Sequence, residues 1–228
     1  MLLNYQGTLN DVFTLAHEMG HALHSWYSDE TQPYIYAGYR IFVAEVASTC
    51  NEALLIHHLL KKAKDPKTKA YLINYFLEQF RTTLYRQTMF AEFEKITHGL
   101  QEAGEALTAE RLCSIYYDLN KAYFGEDICI DRPIEMEWAR IPHFYTPFYV
   151  YQYATGYSAA IAISRKILSG DEKAKEGYFK FLSGGSSMNP IELLRLCDVD
   201  MATKEPVESA LKLFGELLDE MEEILKTQ

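Results

Sequence analysis

Residues 13–27 read FTLAHEMGHALHSWY, which sets His17, Glu18 and His21 in an H-E-x-x-H pentad. Residues four apart on an α-helix share a face, so both imidazoles can aim at one cation. Two nitrogen donors at about 2.0–2.1 Å suit Zn²⁺ at that spacing. Glu18 leaves the helix at a neighbouring angle, awkward for ligation but within reach of a metal-bound water whose proton it can take. Chance placement of the 7 His with the glutamates of this chain gives about 0.02 such pentads. The alternative is a helix whose histidines are satisfied by backbone or carboxylate partners. Without any partner, burying these groups beside Phe13, Leu15, Ala16, Met19 and Leu23 costs on the order of several kcal/mol.

Hydrolytic zinc needs a third protein ligand and an open position. The metzincin pattern requires Gly three residues past the second His and another His three further on. Those positions hold His24 and Tyr27, so that class is excluded. A carboxylate from a second helix is the other source. Glu45 and Glu52 lie seven apart, two helical turns along one stripe, among the apolar Val43, Ala44, Val46 and Ala47. Glu45 is chosen as the ligand. Glu52 is expected behind it, accepting a hydrogen bond from a ligand imidazole and fixing its tautomer; an exposed acidic helix face is the alternative. His24 lies on the same face as His21 and could compete as a ligand, but is read as a residue behind the ligands or in helix packing. His57, His58 and His98 have polar neighbours and read as surface residues.

The elements that must position these groups are helical. Thr8 or Asn10 caps a helix running to about Asp29, with Asp11 favourable in its first turn. Gln32-Pro33 breaks it. Apolar residues return at helical spacing from Ile41 to Leu59. One long helix is predicted from Thr68 to about Ala103, and others over 108–123, 133–140, 149–168, 172–182, 190–196 and 205–226. Residues 2–5 could form an edge strand. The fold class is therefore mainly α, with at most a vestigial strand, in a single domain over residues 1–228.

Composition narrows the function. With 48% hydrophobic and 24% charged residues, the chain is globular. A net charge of −10 argues against nucleic acid or an anionic membrane surface as partner. Cys50, Cys113, Cys129 and Cys197 form no C-x-x-C pair and read as reduced cytoplasmic thiols. Residues 1–7 lack the basic and apolar regions of a signal peptide, and no stretch is long enough for a membrane span.

LLNYQGTLNDVFTLAHEMGHALHSWYS, FVAEVASTCNEALL, IPHFYTPFYVYQYATGYSAA and FLSGGSSMNPIELLRLCDVDM, in that order, resemble the oligoendopeptidase F branch of the thimet-oligopeptidase-like zinc metallopeptidases. The likeness spans nearly the whole chain. It implies a helical zincin-like catalytic domain with a deep substrate channel, one zinc per chain, and cleavage of short unstructured oligopeptides. It places the ligands at His17, His21 and Glu45 and the general base at Glu18. It also implies oxyanion and substrate contacts from His143 and from the neighbouring tyrosines, of which Tyr149 and Tyr153 are chosen. Family members run to several hundred residues, with a helical N-terminal half forming the opposite channel wall. The chain is thus expected to be the C-terminal portion, with Met1 an artificial or misassigned start. Its expected partners are an oligopeptide and the missing half or a second copy of itself. A zinc carboxypeptidase or dipeptidyl carboxypeptidase of similar fold, or a non-catalytic zinc- or peptide-binding module, are the competing readings.

Overall fold

A computed structural model describes residues 2–227. Among them there is no strand: residues 2–5 are irregular, because a lone extended segment has no neighbour to complete its ladder. The helices are α1 (Leu9–Thr31), α2 (Tyr34–Ala37), α3 (Ile41–Lys62), α4 (Pro66–Gln79), α5 (Arg86–Glu102), α6 (Ala109–Phe124), α7 (Tyr151–Leu168), α8 (Glu172–Leu182), α9 (Pro190–Arg195) and α10 (Glu205–Lys226). Two 3₁₀ segments cover Arg132–Arg140 and Pro142–Tyr145.

Local chemistry explains the boundaries. Thr8 caps α1 in a reciprocal capping box: its hydroxyl accepts from the Asp11 N–H at 3.2 Å, and the Asp11 carboxylate accepts from the Thr8 N–H at 2.8 Å. Asp65 caps α4 through the Thr68 N–H at 2.8 Å, with Pro66 at the first helical position. The single long helix predicted from Thr68 is instead split. A π-helical segment, Phe80–Tyr85, separates α4 from α5. Such wide turns leave the apolar periodicity on either side intact, which is why spacing alone does not reveal them.

The chain divides into two compact units, where one domain over 1–228 is the sequence expectation. The first comprises the residues up to Phe80 and those from Thr155 onward. Its core joins Val43, Val46, Ala47 and Cys50 of α3 to Ala159, Ala160 and Ile163 of α7, with Phe181, Leu193 and Leu194. The second unit, Arg81–Ala154, is built on Met89, Phe90 and Phe93 of α5, Tyr116 and Leu119 of α6, and Ile141 and Val150.

Within the first unit α1 lies directly on α3. The approach centres on Gly20, where a Cβ would fall 2.5 Å from the Ser48 Cα and 2.9 Å from the Ala47 carbonyl oxygen. The glycine-serine turn after α8 closes the far end of α1. Thr31 and Gln32 side chains donate to the Ser183 carbonyl at 2.7 and 2.9 Å, and the Ser186 N–H donates to the Tyr36 carbonyl at 2.8 Å. Gly185 has φ +52°, and its Cβ would meet the Tyr36 carbonyl oxygen at 2.0 Å, so only glycine fits there.

Because backbone, not a flexible side chain, opposes a Cβ at residue 20, Gly20→Ala is expected to destabilise the chain by roughly 1–3 kcal/mol. Gly99→Ala, on open helix surface, is the control, with an expected gain of up to about 1 kcal/mol. Urea unfolding of both variants checks this; equal midpoints would refute the tight approach.

Candidate metal centre

The α1–α3 contact brings the predicted ligands together. The Glu45 Oε2 lies 3.2 Å from the His17 Nε2 and 3.6 Å from the His21 Nε2. One donor atom each from His17, His21 and Glu45 falls within 4.8 Å of the others, a group able to hold a metal ion. Tetrahedral ligation with zinc–ligand bonds of ~2.0–2.1 Å sets neighbouring donors ~3.3 Å apart, so the donor set fits that ion in chemistry and spacing. The three side chains are about a quarter exposed, which leaves one side of the group open.

Behind the ligands, the Glu52 carboxylate is hydrogen-bonded to the His17 Nδ1. That bond turns the opposite ring nitrogen towards Glu45, as a carboxylate behind a metal-ligating imidazole does. Burial disfavours charge on His17, but hydrogen bonds and charges from Glu45 and Glu52 outweigh it and raise its pKa to about 10. The His17 hydrogen bond holds the Glu45 carboxyl below the usual carboxylate range against the opposing effect of burial. Glu18 is half-buried and, among the described residues, has no hydrogen-bond or ion-pair partner. It is therefore an uncommitted carboxyl next in sequence to a ligand.

Three polar residues that the spacing did not single out support this group. The Ser48 hydroxyl donates to the Glu45 backbone carbonyl at 3.0 Å and lies 3.4 Å from its carboxylate. The Asn51 side-chain amide donates to the Ala16 carbonyl at 2.6 Å, tying α3 to α1 one residue before His17. The Gln79 amide donates to the second oxygen of Glu52 at 2.6 Å. The only signal available beforehand was that Ser48 and Asn51 share the helix of Glu45 and Glu52; Gln79 comes from a different helix.

His24 makes no hydrogen bond to a ligand. It is buried, stacked on the Tyr39 ring at 3.7 Å between centroids and 5° between planes, with Phe181 beside it. Burial, then the charge of His21, lowers its pKa to about 4. Two of the three histidines expected on the surface are partly buried. His57 packs edge-on against Phe76 with its Nε2 enclosed, and His98 packs on Phe148. Polar neighbours in sequence did not reveal these rings, because α3 and α5 each turn one face inward. His58 is exposed.

In the second unit, the other predicted residues form one cluster. The His143 ring is stacked with Tyr149 at 5.7 Å and meets Tyr153 edge-on at 6.0 Å. The Tyr153 hydroxyl donates to that of Tyr149 at 3.2 Å. Tyr145 is largely exposed and outside the cluster. Phe148, just before Tyr149, has φ +56°, a left-handed conformation rare for a bulky residue. Its N–H is held by the buried Glu94 carboxylate at 2.5 Å.

The sequence profile of Peptidase family M3 matches residues 1–213. The chain belongs to that family. Oligopeptidase PepF of Bacillus subtilis (strain 168) is 54% identical to it over 225 residues, 99% of this chain and 34% of that protein. The chromosomal oligoendopeptidase F of Lactococcus lactis subsp. cremoris is 47% identical over 226 residues, 99% of this chain and 38% of that one. A crystal structure of oligoendopeptidase-F from Enterococcus faecium superposes with a TM-score of 0.87 at 42% identity, over 96% of this chain and 40% of that chain. This M3 chain thus spans a little over a third of the length of the relatives it matches, and its helical architecture is that of the matching part of the Enterococcus faecium structure. Among the described residues no helix is long and apolar enough to cross a membrane.

The burial of His24 gives this M3 chain a pH-dependent stability. Its folded pKa of about 4 lies below the unfolded value of ~6.5. Between those values the unfolded state binds a proton that the folded state refuses, so stability falls as pH falls through that window. From pH 7 to pH 5 the loss from this group is about 2 kcal/mol. Urea unfolding with excess chelator should show the parent losing that much more than His24→Phe. Equal losses would mean that His24 is not held neutral.

Proposed function

We propose that this chain carries the zinc centre of an oligoendopeptidase and hydrolyses internal bonds of short, unstructured peptides. The observation that carries the reading is the convergence of the His17, His21 and Glu45 donor atoms next to a carboxyl, Glu18, with no other partner. Membership of family M3 and the names of the relatives support it.

The two imidazoles and Glu45 hold the cation, and Glu52 keeps His17 in the tautomer that presents its Nε2. When bound, zinc supplies Lewis acidity and eases deprotonation of water, the pKa falling towards ~7. Glu18 takes the proton from the attacking water and returns it to the nitrogen of the leaving amine. The hydroxyls of Tyr149 and Tyr153, with His143 beside them, are donors of the kind that a developing oxyanion takes. Loss of one such donor typically costs roughly 10²–10³ in rate. The four unpaired cysteines support a cytoplasmic place for this chemistry.

The test combines metal analysis with cleavage of a fluorogenic oligopeptide blocked at its C-terminus. One zinc per chain and internal cleavage abolished by chelator are expected. Release of a C-terminal dipeptide only from an unblocked peptide would instead assign a dipeptidyl carboxypeptidase. Glu18→Gln should keep its zinc and lose roughly 10²–10⁴ in rate. Zinc uptake without any cleavage by the parent would leave a metal-binding module and overturn the peptidase reading.

A further inference from the structure

The carboxylate behind His17 is itself held. One Glu52 oxygen meets the His17 Nδ1, and the other accepts a hydrogen bond from the Gln79 Nε2 at 2.6 Å. The Glu52 side chain is only 16% exposed, so water offers it little alternative. We infer that Gln79 is a positioning residue of the metal centre, acting through Glu52 on His17. The inference rests on the metal reading of His17, His21 and Glu45.

Three observations support it. Gln79 ends α4, directly before the π-helical segment Phe80–Tyr85, and π segments recur at functional sites. Tyr75, one turn earlier on the same face, packs on Phe13 of α1 at 4.6 Å between centroids. Phe13 in turn lies one turn before His17. One face of α4 therefore grips α1 at Phe13 and α3 at Glu52, on both sides of the same ligand.

The residue type also fits. A carboxylate at position 79 would set like charge against Glu52. A lysine or arginine would compete with His17 for the same carboxylate. A neutral amide donates to Glu52, restrains its rotation, and leaves its charge for the imidazole.

The test is zinc affinity of the whole chain, measured by chelator competition in a double-mutant cycle. Gln79→Met keeps the length and approximate volume of the side chain but removes its N–H donors. It is expected to bind zinc about 10-fold more weakly than the parent. In a Glu52→Ala background the same substitution should change affinity by less than about twofold, because its route to His17 is gone. An equal loss in both backgrounds, or no loss in the parent, would overturn the inference. Should Gln79→Met fail to fold, Gln79→Glu replaces it in the cycle. Its like charge is expected to weaken zinc binding at least as much, and unchanged affinity there overturns the inference as well. A parent that takes up no zinc overturns the metal reading and this inference together. A parent that takes up zinc without cleaving peptide overturns only the peptidase reading, and the cycle still decides Gln79.

Discussion

The meeting of His17, His21 and Glu45 depends on how closely α1 can lie on α3. Gly20 occupies the fourth position of the pentad, between the two histidines, and the backbone of Ser48 sits where its side chain would be. Glu45 is one turn before Ser48 on α3, so the same contact brings its carboxylate level with both imidazoles. Asn51, three residues after Ser48, fastens the pair from the other direction through the Ala16 carbonyl. The H-E-x-x-H pattern supplies two candidate ligands and a candidate base. The glycine inside it admits the helix that brings the third.

Two histidines on α1 show how one side chain takes different chemistries from its surroundings. His17 faces two carboxylates, and its pKa rises to about 10. His24 is buried between rings, one of its nitrogens unpartnered, and its pKa falls to about 4. One strongly favours a positive charge in its pocket and the other excludes one. A divalent cation suits the first environment for the reason a proton does: two carboxylates meet there, and among the described residues neither is paired with a lysine or arginine. The second environment offers only aromatic faces, which explains why proximity in sequence to His21 does not make His24 a ligand.

Much of this was legible in the residues. The pentad, the Glu45–Glu52 stripe and the cap at Thr8 rest on local spacing, and local spacing survives folding. The hydrogen bond between Glu52 and His17 was foreseen, because a carboxylate two turns from Glu45 on a half-buried stripe has few other partners. Gln79 was not legible. It lies 27 residues from Glu52, on a helix whose apolar pattern continues unbroken through the π segment. The inward faces of His57 and His98 were hidden for a related reason: neighbours in sequence do not tell which side of a helix the core will take. The division into two units was equally invisible, since the chain passes from one to the other inside helical runs, at Phe80–Arg81 and Ala154–Thr155, with no glycine- or proline-rich linker to mark the place.

The ligand set and its support, from Phe13 to Gln79, belong wholly to the first unit, and every contact described among them is internal to it. The His143–Tyr149–Tyr153 cluster belongs wholly to the second, where Glu94 holds Phe148 in its left-handed turn. Each cluster thus has its own structural guarantor: a glycine that admits a neighbouring helix in one, a buried carboxylate that offsets backbone strain in the other. A strained residue of this kind persists only while its surroundings over-determine it. The tyrosine cluster is accordingly sensitive to a single hydrogen bond at Phe148, whereas the metal ligands are held by a whole helix–helix face. The geometry of the one cluster can for that reason be lost while the geometry of the other is kept.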